Sequence, residues 1–181
     1  MAHPPGTPSV PEADRNACLV SYRAELRMAG FQEHESNLYN DVLLKYGEVA
    51  LEDREALQRL NSAAHRLNAA AMEVLRRRSE EMPAVPEIAT SYWDSWQQTY
   101  EANAAWIEAQ TVVIEAFADG LEPRGEHIKV LLAHLGDARR AAGNEEKQML
   151  KRIGVSGNTV REIISEVMAE TQDPWSQEYH N

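Results

Sequence analysis

Apolar residues repeating every seven positions constrain this chain more than any other feature of its sequence. From Ser36 the positions seven apart read Ser36, Leu43, Ala50, Leu57, Ala64 and Ala71. The positions three further on read Tyr39, Tyr46, Asp53, Leu60, Leu67 and Val74. Spacings of three, four and seven place both rows on one face of an α-helix, because about 3.6 residues make a turn. A strand would need alternation with period two, and no segment sustains it. The seam stops before Pro83 and Pro86, neither of which can donate a helical hydrogen bond. Unbroken, it is a helix of up to 45 residues over 36–80, with Gly47 and the acidic stretch 51–55 as the places to bend or restart.

A second amphipathic run follows at once. Trp93, Tyr100, Ile107 and Ile114 form a row that is apolar throughout, and Trp96, Asn103, Gln110 and Phe117 form one that is apolar at its ends. Tyr92, Trp106 and Val113 widen the face to a third row, and Gly120 is a natural stop. Two long helices joined by a short connection favour an antiparallel hairpin. Upstream, Pro11 and the acids Glu12 and Asp14 suit a helix start, and Leu19, Tyr22, Leu26 and Ala29 recur with helical spacing as far as a break at Gly30-Phe31. Downstream, the segments 126–142, 145–153 and 158–170 read as three shorter helices. The expected fold is therefore all-α: an elongated helical bundle built on a long antiparallel helical hairpin, with short C-terminal helices. Its expected divisions are a disordered tail over 1–10, the hairpin bundle over 11–120, a short-helix subdomain over 121–170 and an acidic tail over 171–181.

An apolar face three rows wide exceeds what one partner helix covers. Self-association is the economical remedy, with a dimer pooling two hairpins into a four-helix arrangement through Leu57, Leu60, Leu67, Trp93, Trp96 and Ile107. A protein partner is the other expectation. No Lys or Arg occurs between 87 and 119, and Glu87, Asp94, Glu101, Glu108 and Glu115 fall seven apart in one acidic stripe. Such a stripe is a solvated outer face or a surface for a basic partner, and Lys45, Arg59 and Arg66 share a row that could supply part of the basic side.

Composition excludes several classes. The apolar fraction of 43% and charged fraction of 26% belong to a folded chain. A lone cysteine, Cys18, cannot form an intramolecular disulfide and is read as a core residue. No apolar run approaches the roughly 20 residues of a membrane span, and the start of the sequence has neither the basic nor the apolar segment of a secretory signal. A cytoplasmic location is expected, without a membrane role. His34, His65, His127 and His134 lack a glutamate three residues earlier, so the di-iron bundle pattern is absent, and Glu126, His127, His134 and Asp137 read as exposed helix positions. There is no glycine-rich phosphate loop and no nucleophile elbow. Asp53, Asn103 and Gln110 read as register-setting or solvent-facing, although the aromatic cluster with Asn103 and Gln110 could also line a ligand cavity. No catalytic, metal-binding or cofactor-binding residue is expected, and the chain reads as a non-enzymatic interaction protein.

One segment suggests an alternative. Over 146–165 the sequence runs through Met149, Ile153, Gly154, Val155, Ser156, Val160 and Ile163, with a glycine at a three-residue turn and apolar residues at the positions that join two helices. This segment resembles the helix-turn-helix DNA-binding motif. The resemblance implies that Ser156, Asn158, Thr159, Arg161 and Ser165 face base edges, while Lys147, Lys151 and Arg152 lie near phosphates. Charge is uneven in the same sense: 1–120 holds 19 acids and 10 bases, 121–165 holds 6 acids and 8 bases, and 166–181 holds 4 acids and no base. The alternative function is thus a transcriptional regulator that binds nucleic acid through its C-terminal third.

Overall fold

The long seam breaks once, at 47–53, and that break sets the architecture. The computed structural model describes residues 10–80, 85–122 and 124–172. Helix α1 spans Glu12–Tyr46, α2 Arg54–Glu80, α3 Thr90–Ala118, α4 Glu126–Arg152 and α5 Gly157–Gln172, with one 3-10 turn, Glu87–Ala89, leading into α3. No strand occurs among the described residues. Asp53 is the reason for the restart. Its carboxylate accepts from the backbone N–H of Glu55 (2.9 Å) and Ala56 (3.3 Å), and its carbonyl accepts from Leu57 N–H (3.0 Å). The one acid in that seam row is thus the N-cap of α2, satisfying donors that no helical carbonyl can reach.

Two expected breaks are absent. Helix α1 runs through Gly30, and α4 runs through Gly143 as one helix of 27 residues where two shorter ones were expected. A glycine inside a helix costs about 1 kcal/mol. Burial of neighbouring Met28 and Phe31 in α1, and of Ala142 and Met149 in α4, outweighs that cost.

Helix α3 packs against α2 on one side and α4 on the other, while α1 lies along α2 and also meets α5. The core clusters fix the directions. Tyr39 of α1, Leu60 of α2 and Ile107 of α3 share one cluster; Met28 and Phe31, Val74 and Tyr100 share a middle one. At the other end Cys18 and Tyr22 of α1 meet Tyr92 of α3, Met149 of α4 and Ile163 of α5. The four long helices therefore run up, down, up and down, and α5 folds back across one end against α1. Small residues let α2 and α3 approach closely: Ala64, Ala71 and Ala104 are buried between them, and the Thr111 hydroxyl reaches the Ala64 carbonyl at 3.3 Å.

This arrangement removes the argument for pooling two hairpins. Leu60, Leu67, Trp93 and Ile107 are buried, and Leu57 and Trp96 half-buried, within the chain's own core. Helix α1, which carries the start of the seam, packs on α2, and α4 packs on α3, so the chain itself supplies cover that two long helices alone lack. Of the expected tails, 1–9 and 173–181 lie outside the described residues; Val10 packs on the core, and 171–172 continue α5. Among the described residues no helix is long and apolar enough to cross a membrane.

Leu67→Asp should cost at least about 3 kcal/mol of stability in urea unfolding, because a charge replaces packed apolar surface. Met72→Lys, on the exposed side of the same helix, should stay within about 0.5 kcal/mol. Equal effects of the two would mean that the seam is misplaced.

Candidate functional site

The C-terminal corner is built by its turn residues. Ile153 closes α4 with a bond from its N–H to the Met149 carbonyl (3.1 Å). Gly154 follows with φ +69°, a left-handed conformation that glycine adopts without Cβ strain. Its N–H donates to Lys151 O and that of Val155 to Leu150 O, both at 3.1 Å, the paired bonds of a Schellman ending. Val155 and Leu150 pack in the same cluster, supplying the apolar contact that accompanies such endings. Ser156 then caps α5: its hydroxyl accepts from Thr159 N–H (3.2 Å) and its carbonyl from Val160 N–H (3.0 Å).

Beneath the turn, Met149, Ile153 and Ile163 are buried, with Val155 and Val160 partly so, against Cys18 and Tyr22 of α1. Above it, Lys147, Lys151, Arg152, Ser156, Asn158, Arg161 and Ser165 are exposed and Thr159 is half-buried. Arg161 donates to the Asn158 side chain. The acidic far end of α5 is turned to α1, where Arg23 meets Glu166 (2.9 Å) and Arg27 meets Glu170 (3.1 Å). These surface pairs contribute little stability each, but they neutralise acids that would otherwise repel phosphate.

A second polar feature escaped the reading of the sequence. Arg78, in the last turns of α2, is 1% exposed. Its guanidinium pairs with Glu25 of α1, donates to Gln97 Oε1 (2.8 Å) and Trp93 O (3.1 Å) of α3, and lies 4.2 Å from the Trp93 ring centroid. One side chain thus ties three helices. Burial pushes the Glu25 carboxyl up to about 7, with Arg78 opposing and Glu146 of α4 adding to the rise. Glu146 is itself raised, chiefly by burial, with Lys147 opposing. Burial also pushes the Tyr22 hydroxyl up to about 12. The sequence did carry a signal. Arg78 stands seven residues after Ala71, as the next member of the seam row, and Glu25 stands three after buried Tyr22. Both charges were therefore on buried faces.

The remaining sequence-picked residues are scattered. Glu126, His127, His134 and Asp137 lie exposed along α4, and among the described residues no three metal-binding side chains come together. Cys18 is fully buried and burial raises its thiol pKa, which disfavours the nucleophilic thiolate. All five acids of the α3 stripe are exposed. The basic row opposite is already engaged: Arg59 with Tyr46 and Glu55, Arg66 with Glu35 at 2.9 Å, and Lys45 over the Tyr46 ring. Asn103 is buried and Gln110 half-buried.

The end of the bundle that carries the α1–α2 and α3–α4 connections exposes large apolar side chains. Leu44 is 83% and Leu51 70% exposed, and Leu43, Val49, Phe117 and Leu121 are exposed at the same end. A groove of about 530 Å³ opens between α1 and α2 beside it, lined by Leu38, Tyr39, Val42 and Tyr46 among others. No protein-family model, curated protein or solved structure matches this chain.

Arg78→Ala should cost about 3–5 kcal/mol, because it leaves the Glu25 carboxylate buried without its partner. Glu25, raised from 4.5 to about 7, stabilises the fold fully below pH 4.5 and loses that contribution as pH rises through 7. Glu73, held down at about 2 by Arg76 and Arg77, acts oppositely and only in more acidic solution. Thermal melts should therefore fall between pH 4.5 and 7, and Glu25→Gln should flatten that slope. An unchanged slope in the variant would remove Glu25 as its source.

Proposed function

We propose that this chain is a non-enzymatic interaction protein that self-associates end to end through the apolar end of its bundle. The observation that supports this reading is the exposure of Leu44 and Leu51 at one connection and Phe117 and Leu121 at the other, in a chain that buries its heptad seams internally. Contiguous exposed apolar surface rimmed by charge is characteristic of interfaces. A second copy is the partner that fits, because both signs of charge border the α1–α2 turn: Lys45 and Arg54 beside Glu48, Glu52 and Asp53. A two-fold contact can set those opposite charges against each other. Side-by-side assembly is less favourable, since it would bring the acidic stripe of α3 towards another acidic body. A reducing, cytoplasmic setting suits a lone buried thiol.

Light scattering at tens of micromolar should give about twice the 20.4 kDa of the chain. Leu44→Asp with Leu51→Asp should return it to the monomer without lowering its melting temperature, since neither side chain is in the core. A parent protein that is strictly monomeric removes this reading.

A second reading, as a DNA-binding regulator, is favoured by the glycine-closed corner with its exposed Lys151, Arg152, Ser156, Asn158 and Arg161. Binding to pooled duplexes should then be retained at about 50 mM salt and fall steeply as salt is added. Arg161→Ala should relax sequence preference by about 1–3 kcal/mol, whereas Lys151→Ala should weaken all sequences alike. Absence of any retained duplex in a mobility assay would make this corner an ordinary junction of two helices.

A further inference from the structure

Helix α3 packs closely with α2 and α4, and α1 with α2 and α5, but α1 packs closely with neither α3 nor α4. Between the three lies a cleft of about 230 Å³, with Gln32 and Glu33 contributed by α1, Trp96, Tyr100 and Asn103 by α3, and Arg139 by α4. We propose that this cleft binds a free amino acid with an apolar side chain.

The first support is hydrogen-bonding capacity left unused by the protein itself. Gln32 is 9% exposed and neither its amide oxygen nor its amide nitrogen has a protein partner. Tyr100 is 6% exposed, and its hydroxyl, like the Trp96 ring N–H, is also buried without a partner. Buried polar groups are nearly always paired in folded proteins, so three such side chains around one cleft mark a place where a ligand gains bonds the fold does not make. Gln32 both donates and accepts, Tyr100 does the same, and Trp96 donates, a mixture suited to a ligand with both kinds of group.

The second support is charge. Glu33 and Arg139 line the cleft on its two outer helices, both are exposed, and neither makes an ion pair with any described residue. A lone carboxylate ligand would be drawn to Arg139 but repelled by Glu33, and a lone amine the reverse. A molecule that carries an ammonium and a carboxylate on one carbon satisfies both, with the planar guanidinium taking the carboxylate. The rings of Trp96 and Tyr100, with centroids 6.0 Å apart, form an apolar wall for the rest of the ligand. Size agrees: drug-sized ligands occupy pockets from about 300 Å³ upward, and this cleft is smaller. The inference stands apart from self-association and from DNA binding, since none of its residues lies at the apolar end or in the C-terminal corner.

The test is calorimetric titration of the full chain with L-leucine and L-phenylalanine, alongside 2-phenylethylamine and 3-phenylpropanoate. Trp96 fluorescence provides a second readout, referenced to Trp96→Phe. At least one amino acid should bind saturably at or below about 10 mM, and the amine and acid should each bind about tenfold or more weakly than phenylalanine. Arg139→Ala should abolish the preference over the amine, and Glu33→Gln the preference over the acid; both positions are exposed, so the variants should melt like the parent. The proposal is overturned if neither amino acid binds at about 10 mM, if the amine or the acid binds as well as phenylalanine, or if both substitutions leave binding unchanged.

Discussion

Helix α3 must be covered on more than one flank, and the rest of the structure depends on that requirement. Tyr92, Trp93, Tyr100 and Ile107 bury one stripe of it, while Ala102, Asn103, Ala104, Ala109 and Thr111 bury positions around its circumference. A helix apolar over three rows cannot be satisfied by one neighbour. It takes α2 on one flank and α4 on the other, and α1 closes over the α2 side. Each turn of the chain follows from that demand: Asp53 restarts the helix so that α1 can double back, and Gly120, at φ +74°, releases the chain after α3 so that α4 can return.

Where the seam meets the far end of the bundle, its packing becomes ionic. Arg78 occupies the position at which another apolar residue would continue the row, and Glu25, Gln97 and the Trp93 carbonyl receive its guanidinium. An apolar side chain there would tolerate several helix registers, whereas a five-donor fork between three helices tolerates few. The pair is thus better understood as selecting one arrangement than as adding net stability, because desolvation opposes most of the Coulomb gain.

The surfaces left after folding are of three different kinds. One end of the bundle is apolar and bordered by both signs of charge, and the C-terminal corner presents four bases around a capped turn. The cleft beside α3 holds buried amide, hydroxyl and indole groups that the protein leaves unpaired. The acidic stripe of α3 remains an exposed face, with His65 of α2 3.6 Å from Glu115. A stripe so placed keeps neighbouring molecules apart along the sides of the bundle.

Much of this was legible in the residues themselves. Period, propensity and proline placement determined that the chain is helical, that a break falls near Gly47, that the second helix ends before Pro83, and that Gly154 and Ser156 make a turn and a cap, because these are local effects of backbone geometry and orphan hydrogen bonds. The strength of a glycine as a breaker was not legible. Gly30 and Gly143 look alike to local rules, and both were overruled by burial of residues around them that only the packed partners supply. The partner of the seam was equally hidden. Heptad spacing states that Leu60, Leu67, Trp93 and Ile107 are buried but carries no information about whether the covering helix comes from the same chain or another. Arg78 with Glu25, and Gln32 with Trp96 and Tyr100, were assembled by the fold alone: each set draws on separate helices, and no spacing along one helix specifies which residue of the next will stand opposite.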